Sequence, residues 1–277
     1  MIVNVEKIVK RKEEEIQRKI KENNVVPTLA VIQANDLESS KSYIASKRKK
    51  ANELGIKQIE YIYDRNVTEE EIINKIIELN EDSNVNGIMV QLPLYTHLNE
   101  YNIINSVNPK KDVDGFTSLN IGNIINGNEK IIPCTPKGIL LVLNSLNVDL
   151  EGKNVVILGR SKIVGRPLAE VLISRGATVT VCNSKTEHLN MYTKEADILI
   201  VAVGKARFIN NKMVKKDSIV IDVGINKIDG KIVGDVDTDD IKDKVKYVTP
   251  VPKGIGITTV ISLMDNLVNI AIENFLK

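Results

Sequence analysis

Tyr43 and Lys47 stand four residues apart in SKSYIASKRKK (40–50). If this stretch is helical, positions i and i+4 share a face, and the phenol and the ammonium reach the same point. A lysine so placed can hold an anion or, once taken out of water, give up and take back a proton. The plainer alternative is a solvated helix face, because Lys41, Arg48, Lys49 and Lys50 crowd the same stretch. Two further polar positions invite the same question. Gln91 follows an apolar run in GIMVQLPL, where it could simply cap a strand end, and Asp114 precedes Gly115, a pair that usually marks a turn.

A second stretch with chemical meaning is VVILGRSKIVGRPLAEVL (155–172), which reads as a buried strand, a tight turn and a helix. Gly159 and Gly165 are present, but Ser161 stands where a GxGxxG pattern would have its second glycine. Backbone N–H groups at such a helix start suit a pyrophosphate. A second strand, ATVTVCNSKT, ends 23 residues after Gly159, where NAD sites place an acid for the ribose 2′-hydroxyl. Here the sequence is Cys182-Asn183-Ser184-Lys185. Arg160, just after the first glycine, could complete a 2′-phosphate pocket with Ser184 and Lys185; the plainer alternative is a surface turn that happens to be basic. The expected cofactor is NADP.

The elements that must position these residues alternate in the manner of parallel α/β units. Strands are expected at 28–34, 57–64 and 85–94, with helices between them. The helix from about Ser40 ends at Gly55, and the next has Thr68 as N-cap and Glu71 at the capping-box position. A second unit starts with a helix whose N-cap is Thr135 and whose first residue is Pro136. Strands follow in KNVVILG, ATVTVCN, ADILIVAVG and SIVIDVG. Asp222 in VIDVGIN reads as a strand-end residue beside the cofactor. The last helix, 257–276, is interrupted by Asp265, Asn266 and Asn269 and reads as buried rather than membrane-spanning. The expected domains are 1–134, joined by 257–277, and 135–256.

Bulk composition narrows the class. The 277 residues carry 38 basic and 36 acidic side chains, a net charge of +2 that offers no global field to nucleic acid or anionic membrane. Cys134 and Cys182 form no CxxC pattern, and neither His97 nor His188 has metal-ligand spacing. No metal is expected. The amino-terminal segment is a charged amphipathic helix without the apolar core of a signal peptide. A cytoplasmic protein is expected.

Nine segments occur in order: YIASKRKKANELGI, GIMVQLPL, NPKKDVDGF, PCTPKGI, GRSKIVGRPLA, NSKT, VIDVGIN, GDVD and TPVPKGIG. Together they resemble the bifunctional methylenetetrahydrofolate dehydrogenase/methenyltetrahydrofolate cyclohydrolase family of the bacterial two-domain type, over residues 28 to 276. The resemblance implies a three-layer α/β domain, a Rossmann NADP-binding domain, an active-site cleft between them and a homodimer. It implies NADP-dependent oxidation of 5,10-methylenetetrahydrofolate to the methenyl form and hydrolysis of that to 10-formyltetrahydrofolate. By motif, Tyr43 and Lys47 match the substrate-contacting YxxxK pair, Gln91 the glutamine set against the lysine, and Asp114 the acid that holds the pterin. Gly159, Arg160, Ser161 and Ser184 match cofactor positions, to which Gly165, Lys185 and Ile225 are added. Oxidation needs mainly orientation, since two nitrogens stabilise the cation formed. Hydrolysis needs a base of near-neutral pKa, and a desolvated Lys47 is the candidate.

Two departures stand out. The loop that reads PGGVGPMT in the family is Pro252-Lys253-Gly254-Ile255-Gly256-Ile257-Thr258-Thr259 here, and the turn after the first strand is NDLESS. They leave open the ratio of the two activities, including a dehydrogenase with weak or absent cyclohydrolase. A short-chain dehydrogenase, which also uses YxxxK, is disfavoured because there the pair follows the glycine turn, whereas here it precedes it by over 100 residues. A non-catalytic NADP-binding regulator would not need Lys47, Gln91 and Asp114 together.

Overall fold

The computed structural model describes residues 1–275. The chain forms two compact units. One comprises Arg11–Asn123, Lys130–Cys134 and the chain from Val260 on; the other comprises Met1–Lys10, Ile124–Glu129 and Thr135–Thr259. Residues 124–129 and 257–259, expected in the first unit, belong to the second, as do residues 1–10. For residues 1–10 the reason is local: Ile2 bridges Val248, and the Val3 N–H donates to the Val248 carbonyl at 2.9 Å, covering a sheet edge that would otherwise be open.

The chain runs α1 (Val5–Asn23), β1 (Thr28–Gln33), α2 (Glu38–Glu53), β2 (Lys57–Ile62), α3 (Glu69–Glu81), β3 (Gly87–Gln91), α4 (Glu100–Ser106) and α5 (Ser118–Ile125). The three strands are parallel in the order β2-β1-β3. Central β1 is buried at all six positions, which is why TLAVIQ carries no alternation. β2 lies at the edge and keeps its side chains partly exposed. Helix α3 opens with the expected capping box: Thr68 accepts from the Glu71 N–H, and Glu71 accepts from the Thr68 N–H at 2.8 Å. Its Ile72, Ile76 and Leu79 lie on one face and pack with Ala30, Ile32, Ile88 and Val90. In the NDLESS turn, Asn35 takes over the local bonding. Its amide donates to the Pro93 carbonyl at 2.7 Å and its oxygen accepts from the Leu37 N–H.

The chain continues with α6 (Cys134–Ser145), β4 (Asn154–Leu158), α7 (Gly165–Ser174), β5 (Thr178–Cys182), α8 (Leu189–Thr193), β6 (Ile198–Val201) and β7 (Ile219–Asp222). It closes with β8 (Asn226–Ile228), β9 (Lys231–Val233), α9 (Thr238–Ile241), β10 (Tyr247–Val248) and α10 (Ile255–Phe275). Helix α6 starts at Cys134, so Thr135 and Pro136 fall inside its first turn rather than at its cap and first position. The parallel order β10-β7-β6-β4-β5 reverses direction between β4 and β6. A crevice at the carboxyl ends of strands on either side of such a reversal is where α/β sheets bind nucleotides. From Val260 on, α10 belongs to the first unit, and 72% of its most apolar stretch is buried. Leu276 and Lys277, included in the expected helix and domain, lie outside the described residues.

Candidate active site

Helix α2 and strand β3 bring Lys47 and Gln91 together. Lys47 is only 5% exposed, in contrast to its exposed neighbours Arg48 and Lys49. Its ammonium donates to the Gln91 Oε1 at 3.2 Å and lies 2.9 Å from the Met89 Sδ. The Tyr43 ring, one helical turn back, has its centroid 4.3 Å from the Lys47 Nζ, within cation–π range. Gln91 is itself oriented, because its amide nitrogen donates to the Leu92 carbonyl at 2.7 Å and so turns the oxygen toward Lys47. The i, i+4 pairing of Tyr43 and Lys47 is realised on the buried side of the helix.

Burial pushes the Lys47 ammonium below its ordinary 10.5, with Asp114 and Cys134 opposing that shift. Burial likewise pushes the Asp114 carboxyl up to about 6, against the pull of Lys47, while Asp112 adds to the rise. Both members of the pair are thus moved toward their neutral forms. The two acids of DVDG have separate tasks. Asp112 is buried and spends its oxygens on the loop itself, accepting from the N–H groups of Gly115 and Thr117 and from the Asn120 amide. Asp114 is left facing Lys47 and the Cys134 thiol, which lies 3.7 Å from its Oδ1.

Met89, Cys134 and Asn266 complete this neighbourhood, and none was singled out for it in the sequence. Asn266, on α10, donates to the carbonyls of Val113 at 2.9 Å and Ile132 at 3.0 Å, joining the segments that carry Asp114 and Cys134. Its interruption of an apolar run was visible, but its partners lie more than 130 residues away in sequence.

In the second unit the glycine turn follows β4. A Cβ on Gly159 would meet the Ala202 carbonyl oxygen at 2.3 Å, and one on Gly165 would meet the Gly159 oxygen at 2.0 Å. Both glycines are required for close packing of turn, helix and neighbouring strand. Ser161 uses its hydroxyl to accept from the Val164 N–H at 3.1 Å, bracing the turn. The Gly159 N–H donates to the Cys182 carbonyl at 2.9 Å, so the turn bearing Arg160 starts beside the turn bearing Ser184 and Lys185. Arg160, Ser184 and Lys185 are exposed, and Asn183 accepts from the Lys185 N–H at 3.0 Å. Two cations and a hydroxyl without an acid at this strand end fit an anionic 2′-substituent. Ile225 is 65% exposed and would lie 3.7 Å from a Cβ on Gly256. Lys253, in the departing loop, has φ +69 and an ion pair with Glu6 at 3.0 Å.

A parallel sheet with this strand reversal and glycine turn, in a chain that also carries a three-stranded parallel α/β unit, defines a two-unit α/β protein of the dinucleotide-binding class. The tetrahydrofolate dehydrogenase/cyclohydrolase catalytic domain matches residues 3–114, and the NAD(P)-binding domain of the same family matches residues 133–275. The chain belongs to the tetrahydrofolate dehydrogenase/cyclohydrolase family. It is 44% identical over 276 residues to the bifunctional protein FolD of Anoxybacillus flavithermus, with 98% of each chain covered. The crystal structure of the bifunctional enzyme FolD, methylenetetrahydrofolate dehydrogenase/cyclohydrolase, of Campylobacter jejuni superimposes with a TM-score of 0.95 at 42% identity, covering 98% of both chains. The Trypanosoma brucei methylenetetrahydrofolate dehydrogenase-cyclohydrolase, solved with NADP cofactor and an inhibitor, gives 0.89 at 31% identity, covering 98% of this chain and 96% of that one.

Proposed function

We propose that the chain is a bifunctional enzyme of one-carbon metabolism. It oxidises 5,10-methylenetetrahydrofolate with NADP and hydrolyses the methenyl product to 10-formyltetrahydrofolate. The observation that carries this reading is the buried Lys47, held between Tyr43, Met89 and Gln91 and coupled to Asp114, in a chain of this family.

NADP would supply the hydride acceptor; Arg160, Ser184 and Lys185 would hold its 2′-phosphate, the turn from Gly159 through Ser161 to Gly165 would carry its pyrophosphate, and Ile225 would line the same site. Asp114 binds the pterin through its carboxyl, whose oxygens accept hydrogen bonds from a ring N–H and an amino group. Tyr43 and Gln91 fix the Lys47 amine against the reacting carbon. In the hydrolysis, water adds to the methenyl carbon and loses a proton to the neutral Lys47 Nζ. The C–N5 bond then breaks with its electron pair going to N5, the hydroxyl proton passes to N5 as the C=O forms, and the formyl group remains on N10. A cationic substrate next to Lys47 lowers its pKa further and so increases the neutral fraction available as base. A homodimer and a cytoplasmic location belong to the same reading.

The test is one spectroscopic assay with methylenetetrahydrofolate and NADP or NAD, following methenyl formation and then its decay. Formation without decay removes the cyclohydrolase, and no formation with either cofactor removes the reading altogether.

A further inference from the structure

Two fully buried acids of the second unit lie outside the chemistry described above. Asp222 ends β7, and Asp235 follows the β8–β9 hairpin; they are 1% and 0% exposed. Neither pairs with a cation among the described residues; their partners are backbone N–H groups and one amide. Asp222 accepts from the N–H groups of Gly224, Asp235 and Val236 at 2.9 to 3.0 Å. Asp235 accepts from three successive N–H groups, Val203 at 2.7 Å and Gly204 and Lys205 at 2.9 Å, and from the Asn226 amide at 2.9 Å.

Two glycines make room for these acids, in exchange. A Cβ on Gly224, two residues after Asp222, would strike the Asp235 carboxyl carbon at 2.2 Å. One on Gly234, just before Asp235, would strike the Asp222 Oδ2 at 1.8 Å. Each acid therefore has a glycine near it in sequence that clears space for the other acid. The motifs VIDVGIN and GDVD are thus one interlocked device.

Three consecutive N–H groups converging on one point form a nest, a concavity suited to an anion. Here the chain's own carboxylate fills it. The nest is the loop that leaves β6 at the carboxyl edge of the sheet, directly after Ala202, whose carbonyl lies against Gly159 of the nucleotide turn. Through Asn226 the same carboxylate also fixes the base of the hairpin next to Ile225.

We propose that Asp235 is a positioning residue for the dinucleotide. By filling the nest of Val203, Gly204 and Lys205, it holds the rim of the cofactor site in its binding shape before the cofactor arrives. The inference rests on the NADP-binding reading of this unit.

The experiment is direct NADP titration by fluorescence, alongside hydrolysis of methenyltetrahydrofolate, which consumes no cofactor. Wild-type protein is titrated first, and failure to bind NADP there would count against the cofactor reading rather than against Asp235. Asp235→Asn keeps the shape but turns an acceptor into a donor facing N–H groups. It should weaken NADP about tenfold or more, the scale of one charge-assisted hydrogen bond, while the KM for methenyltetrahydrofolate stays unchanged. Gly204→Ala is the second variant. Gly204 has φ +66 and open space where a Cβ would lie, so alanine strains the nest without touching the core. A loss of about threefold or more in NADP affinity is expected, in line with the cost of a left-handed alanine, again without change in hydrolysis. If Asp235→Asn does not fold, Gly204→Ala decides. An NADP affinity within twofold of wild type in a folded variant, or a parallel fall in both readouts, overturns the proposal.

Discussion

Replacing Lys47 by Met is the most discriminating perturbation of the first unit. Methionine matches the length of the lysine stem and fills the same buried space beside Met89, but it cannot take a proton. Two structural terms of opposite sign set its effect on stability. The Gln91 Oε1 loses its donor, costing about 1–3 kcal/mol for an unsatisfied buried acceptor. Against this, an ammonium only 5% exposed no longer has to be desolvated, a penalty of several kcal/mol. The variant should therefore fold, with stability within about 2 kcal/mol of wild type. Losing a general base typically costs about 10²–10⁴ in rate, or roughly 3–5 kcal/mol in barrier. Hydrolysis of methenyltetrahydrofolate should fall by that factor. Hydride transfer needs no base and should persist, reduced by whatever Lys47 contributes to orienting the pterin. The assay follows methenyl absorbance, which should rise with NADP and then fail to decay. Lys49, exposed on the same helix, is the charge control as Lys49→Met; Lys50 is unsuitable because it is ion-paired with Glu13 and Glu53. Wild-type hydrolysis in the Lys47 variant would show the lysine to be a passive cation and refute the reasoning.

Three further outcomes are expected. Arg160→Ala should weaken NADP more than NAD, by about 1.5–3 kcal/mol, and equal losses in cofactor titrations would remove the 2′-phosphate contact. Lys253→Gly should keep both activities and gain about 1 kcal/mol in urea denaturation, because φ +69 is left-handed backbone and the Glu6 pair is exposed; a folded variant that binds NADP without turning over would make Lys253 catalytic. Asp114→Asn should weaken folate binding yet flatten the pH dependence of stability. The folded carboxyl binds its proton more tightly than the unfolded one, about 6 against 3.8, so wild-type stability contributed here falls as pH rises from about 4 to about 6. Relative to wild type, the Asn variant should be about 2 kcal/mol better at pH 7 than at pH 4, and parallel urea midpoints at the two pH values would contradict this.

Local chemistry made much of the fold readable. The Thr68–Glu71 box, the buried run of β1 and the strand–turn–helix at Gly159 are determined by near neighbours, and all appear in place. The β8–β9 hairpin escaped notice although its signal was present. Asp229-Gly230, flanked by Asn-Lys-Ile and Lys-Ile-Val, takes positive φ at both residues, the backbone a two-residue hairpin needs. The start of α6 lies two residues before the expected Pro136, since Thr135 looks like a cap whether or not it serves as one. Lys47, Gln91 and Asp114 could be named because their motifs are contiguous. Met89, Cys134 and Asn266 join them through packing between distant segments, and Asp235 meets Asp222 across a hairpin; no spacing rule reports such contacts.

The placement of α10 has a consequence for biosynthesis. Asn266 is hydrogen-bonded to Val113 and Ile132, and a Cβ on Gly87 of β3 would run into Leu267, so this helix is part of the wall of the first unit. Every proposed catalytic side chain is translated long before it. On the ribosome, the five-stranded sheet acquires all its strands by Val248, while the three-stranded unit must wait for Val260 and the residues after it. The half of the chain made first is completed last. An early stop codon near residue 250 would therefore leave Lys47, Gln91 and Asp114 encoded but without the wall that organises them, and a nascent chain paused there exposes the apolar surface on which chaperones act.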